Sequence, residues 1–130
     1  MRTGFLPATR FLFAACVATL VAGAAVAQSA TTLDAFVARA NRIPLNPAAL
    51  LMPDTRRLQG EAQTAFTAVR REIADARAAG RTPPACPPER INLNPRQFLG
   101  FLNGIPQARR QRMTVTDGVR AWMASRYPCS

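Results

Sequence analysis

The sequence predicts a small all-α bundle of about four helices, closed by one disulfide and preceded by an export signal. Three observations predict it. Beyond the N-terminal stretch, apolar residues recur at spacings of three and four, and no segment sustains the alternation that marks a strand. Prolines, with Gly80, fall between the periodic segments. Two cysteines, Cys86 and Cys129, remain once the N-terminal stretch is set aside.

Arg2 and Arg10 form a positive start to the chain, and Phe11 to Val26 carries no charge. Ala25-Val26-Ala27 has the small-residue pattern of a cleavage site, which divides the chain into a signal peptide over 1–27 and a mature domain over 28–130. The competing reading is a membrane anchor, but the apolar stretch is at the short end for a span and rich in Ala and Gly. Cys16 falls inside it and leaves with it. No second apolar run has spanning length, so the mature form is expected to lack a membrane span. In an exported chain of this size, an even pair of cysteines points to a disulfide rather than two free thiols.

The first helix is expected over about Thr32 to Asn41, with Thr31 as its cap and Leu33, Phe36, Val37 and Ala40 on one face. Pro44 and Pro47 end it, and Pro47 to Leu51 has room for one short turn. A long helix follows, capped by Asp54 or Thr55 and stopped at Gly80. Its stripe is Leu58, Ala62, Ala65, Phe66, Val69, Ile73 and Ala76. The spacing of Arg71 and Asp75 allows an ion pair along the helix. Gly80 to Pro88 is too rich in proline for a helix, so it reads as an extended linker holding Cys86. Asn94 and Pro95 then open a helix bearing Phe98, Leu99, Phe101, Leu102 and Ile105. Gln107 to Met113 reads as a polar loop. Thr114 and Asp117 suggest a capping box for the last helix, whose inner face is Val115, Val119, Trp122, Met123 and Tyr127.

The side-chain inventory is poor in catalytic groups. The chain has no His, which excludes Ser-His and Cys-His chemistry and His-based metal sites. The two cysteines have neither zinc-ligand nor C-x-x-C spacing. The acids stand singly, and Glu61, Glu72 and Asp75 read as surface charges. No Gly-rich phosphate loop occurs. A binding protein without cofactor or metal is therefore expected, not an enzyme, and a small hydrolase is the least supported reading. All 17 basic residues are Arg, against 7 acids. The Arg residues are scattered, aromatics are few and no nucleic-acid motif appears, so nucleic acid is not expected; the charge reads as a solvated helix surface, weighed against attraction to an anionic partner or to the anionic cell envelope. Arg109, Arg110 and Arg112, in the loop between the last two helices, are the candidate partner-binding residues, weighed against a solvated turn.

The C-terminal part resembles the Rap/Tai family of type VI secretion immunity proteins. The residues that carry the resemblance are Cys86-Pro87-Pro88, Gln97-Phe98-Leu99-Gly100-Phe101-Leu102, Ile105-Pro106, Val119-Arg120-Ala121-Trp122-Met123 and Tyr127-Pro128-Cys129. The resemblance implies a periplasmic protein of the Gram-negative envelope that binds and inhibits a peptidoglycan amidase toxin. It also implies a loop inserted into the toxin's groove and frequent pairing as a homodimer. Only Cys86 and Cys129 carry over by position. The alternative from a different class is a general envelope binding or stress protein with no dedicated toxin.

Overall fold

The computed structural model describes residues 31–130, and the expected export signal, its cleavage site and Cys16 lie outside them. Helix α1 spans Leu33–Ala40. Its cap is Thr32, one residue later than expected: the Ala35 N–H donates to Thr32 Oγ1 at 3.2 Å. A tertiary contact fixes this start, because Leu33 N–H donates to the carbonyl of Met113 at 2.8 Å and Thr32 bridges to Thr114. A 3₁₀ turn follows over Pro47–Leu51.

Helix α2 runs over Pro53–Ala78 and begins on proline, with Met52 before it and no side-chain cap. The expected caps, Asp54 and Thr55, lie inside the helix because Pro53 is already suited to its first position. At the other end Gly80 has φ +68°, Arg81 N–H reaches the Ala76 carbonyl, and Gly80 N–H reaches that of Arg77. This left-handed glycine cap satisfies carbonyls that the helix end would otherwise leave unpaired. Helix α3, Pro95–Gly104, is capped by Asn94, which accepts from the N–H groups of Arg96 and Gln97.

The expected polar loop over Gln107–Met113 contains a fifth helix, α4, over Gln107–Arg110. Pro106 supplies its first acceptor, since the N–H groups of Arg109 and Arg110 both donate to the Pro106 carbonyl. Helix α5, Val115–Arg126, opens with a complete capping box between Thr114 and Asp117.

These elements form an all-α fold, with no strand element among the described residues. Its centre is an aromatic cluster. The ring of Trp122 on α5 lies 5.7 Å from Phe66 of α2, 5.5 Å from Phe98 of α3 and 6.0 Å from Tyr127. All three contacts are edge-to-face, the arrangement favoured by aromatic quadrupoles. Trp122 is buried as its stripe predicts, whereas Phe66 is only half-buried at the margin of the cluster.

Two features draw the helices onto this centre. Cys86 and Cys129 form a disulfide, and Cys86 N–H donates to the Tyr127 carbonyl at 2.8 Å. The linker is thereby fastened to the end of α5, with Ala85 fully buried in an otherwise mostly exposed stretch. The bonded cysteines are 43 residues apart. A closed loop of this length stabilises by about 4 kcal/mol in the chain-entropy account. The second feature is Gly118, where α1 meets α5. A Cβ at this position would lie 2.8 Å from Leu33 Cδ1 and 3.3 Å from Leu102 Cδ2. Leu33 and Leu102 are both fully buried and have little room to retreat.

Gly118→Ala is therefore expected to destabilise the fold by overpacking, at a cost of about 1–3 kcal/mol. For a domain of this size, that lowers the melting temperature by roughly 4–8 °C per kcal/mol. An unchanged thermal transition in the variant would show that Leu33 yields without strain.

Candidate functional site

The three loop arginines separate into different roles. Arg110 faces inward: its Nε lies 3.1 Å from Asp34 Oδ1, and its Nη1 donates to the carbonyls of Asn103 and Ile105 at 3.1 Å each. It closes the C-terminal end of α3 and ties α4 to α1. Its role here is structural, because one guanidinium satisfies carbonyls that α3 cannot pair internally. Arg112 is exposed and turns back to the Ala108 carbonyl. Arg109 is exposed and lines a small hollow of about 400 Å³ with Phe101, Ile105 and Met113. The sequence brought the three together, and the structure leaves two of them facing solvent.

Glu61 and Glu72, read as surface charges, are half-buried and join helices. Arg39 of α1 holds Glu61 of α2 through two hydrogen bonds of 3.0 and 2.7 Å. Arg120 of α5 holds Glu72 of α2 through bonds of 2.8 and 2.7 Å and also reaches Asp117 at 2.7 Å. The expected pair between Arg71 and Asp75 is not among the ion pairs of the described residues. The Arg120 guanidinium holds the Glu72 carboxyl below its usual range. The Thr114 N–H, followed by Arg120, does the same to Asp117. Arg120 is raised in turn, chiefly by Glu72.

A wider concavity lies elsewhere. A groove of about 920 Å³ opens where the C-terminal half of α1, the start of α2 and the start of α3 diverge. Leu58 and Phe98 form its buried floor with Phe36 and Ala49. Phe98 is also a member of the Trp122 cluster, so the groove floor is continuous with the core. Leu45, Leu50 and Leu93 stand exposed along its rim, and Leu51, 81% exposed, belongs to the same 3₁₀ turn. These are all of the large exposed apolar side chains among the described residues. Such clustering marks a contact surface, whereas scattered exposed leucines carry no message.

Arg96 is the one charged residue lining the groove, and its other polar lining is amide or hydroxyl: Asn46, Asn92, Asn94, Gln59 and Thr55. The Thr55 hydroxyl is buried without a hydrogen-bond partner. No cluster of three potential metal ligands occurs among the described residues. Sequence reasoning missed the groove because its walls come from three separated segments. The available signal was the presence of Leu45, Leu50, Leu51 and Leu93 in proline-bounded stretches, where no periodic face claims them.

Comparison with protein-family models, with curated proteins and with solved structures gives no match to this chain.

Two expectations follow from the arginines. Replacing Arg110 with Gln should lower the melting temperature, because it leaves the carbonyls at the end of α3 without their donor and unpairs Asp34. The double change Arg109→Ser with Arg112→Ser should leave it nearly unchanged, since exposed charges contribute little. Equal melting temperatures for the two variants would remove Arg110 from its structural role.

The carboxylates of Glu72 and Asp117 are both depressed in the folded state. Their stabilisation is fully present above their ordinary values near pH 4 and is lost as the pH falls through the lower folded values. A Glu72→Gln, Asp117→Asn variant should therefore lose less melting temperature than the parent between about pH 5 and pH 2. Parallel acid profiles would contradict the assignment.

Proposed function

We propose that this protein is an exported inhibitor that binds a peptidoglycan amidase, acting as an immunity protein of type VI secretion in the periplasm. The observation that carries the reading is that Leu45, Leu50 and Leu93, three of the four large exposed apolar side chains among the described residues, line one groove. A solvent-facing surface of this kind costs free energy unless a partner covers it. Support for the partner class comes from the chain's resemblance to Rap/Tai proteins, through its two cysteine boxes. The disulfide fits an exported protein, and no described helix is long and apolar enough to cross a membrane. The binding surface is reassigned on this reading. Arg110 is engaged internally, so the groove is the principal contact, and Arg109 and Arg112 remain as accessory cations.

The test is inhibition in solution. Peptidoglycan amidases delivered by type VI secretion are titrated with the purified protein, and peptidoglycan hydrolysis is followed. Activity is expected to fall to zero near one equivalent of inhibitor chain per enzyme. Full hydrolysis by all of them in the presence of a large excess would sink the immunity reading.

A further inference from the structure

The groove is bordered by backbone as well as by leucines. Two of its bordering stretches are non-helical, with Asn46 at φ −137°, ψ 166° and Asn94 at φ −90°, ψ 115°. Among the described residues, the N–H groups of Leu45 and Asn46 find no backbone acceptor, and neither do those of Asn92 and Leu93. The carbonyls of Leu45, Asn92 and Leu93 likewise accept from no backbone donor. Unpaired extended backbone beside an apolar trough is the arrangement that takes up an extended peptide. Main-chain hydrogen bonds then hold it, and alternate side chains enter the trough.

The charge around the groove is one-sided. Arg96 lines it, and Arg42, Arg56, Arg57 and Arg90 stand in the segments that form it. With Glu61 held by Arg39, the acids left in those segments are Asp54 and Glu89. Neither these two acids nor the five groove arginines belong to an ion pair among the described residues. Five uncommitted guanidinium groups favour a carboxylate-bearing occupant.

We propose that the groove receives an extended segment of a protein partner, apolar at alternate positions and flanked by Asp or Glu. This rests on the reading of the chain as a protein-binding inhibitor and specifies which part of the partner is seized. A lipid chain would fill the trough but leave the bordering backbone groups without partners, so a peptide accounts for more of the surface.

The probe is a phage library of random 12-residue peptides, selected on the protein expressed with its full sequence and purified. Enriched peptides are expected to share two apolar residues spaced two apart, with acidic neighbours. A synthetic peptide of that sequence should bind at least tenfold more weakly to Leu93→Asp and to Arg96→Glu. Both positions are exposed, and a melting curve establishes that each variant is folded. Methylating the peptide's backbone nitrogens across the motif should weaken binding similarly. The proposal is overturned by peptides without acidic residues, by undiminished affinity for either folded variant, or by full affinity after N-methylation. It is equally overturned if no peptide is enriched, whether or not the protein adsorbs to phosphatidylglycerol vesicles. Peptide binding without inhibition of the amidase would keep this inference and end the immunity reading. Inhibition that survives both groove variants would do the reverse.

Discussion

Trp122 is the contact on which the arrangement of the helices depends. Its indole meets rings from α2 and α3 and the aromatic residue at its own helix end. Those contacts require α5 to lie deep among the other helices. That depth is available only because Gly118 has no side chain where Leu33 and Leu102 pass. The disulfide then holds the end of α5 against the linker. The groove is the outer consequence of the same packing. Phe98 turns one side to Trp122 and contributes to the groove floor, so the shape of the binding surface follows from the geometry of the core.

Most of the fold was legible because its determinants are local. Apolar spacing located the helices, Asn94 and the Thr114–Asp117 pair marked two starts, and Gly80 marked an end. The departures share a different cause. Thr32 became the cap of α1 because it meets Thr114, which is remote in sequence. Glu61, Glu72 and Arg110 took structural roles through partners between 22 and 76 residues away. Helix α4 formed within a segment whose polarity suggested a loop, because polarity does not forbid a single helical turn after a proline. Of the candidate site, the cysteine pair was legible in the sequence, but the division of labour among the three arginines was not.

The all-arginine composition acquires a structural meaning at the interhelical pairs. Arg39 and Arg120 each present two nitrogens to both oxygens of one carboxylate, a geometry that an ammonium group does not reproduce. Arg110 spreads its guanidinium over a carboxylate and the carbonyls at the end of α3. These residues spend their charge on holding helices together. Those around the groove belong to no ion pair among the described residues, so an acidic partner there would meet uncommitted guanidinium groups.

Helix α1 is two turns long and lies outside the segment enclosed by the disulfide. Its hold on the bundle consists of its buried face, the Arg39 and Asp34 ion pairs, and the backbone contact at its start. A two-turn helix outside the disulfide loop can open at a lower free energy than the protein as a whole. Since Phe36 and Ala40 line the groove, the element that sets the groove's width is also the one first released by local opening. Amide hydrogen exchange should therefore be faster in α1 than in α5, and an occupant of the groove should slow it most in α1. The surface that recognises a partner would then act as a local clamp, converting binding into order at the least secured end of the fold.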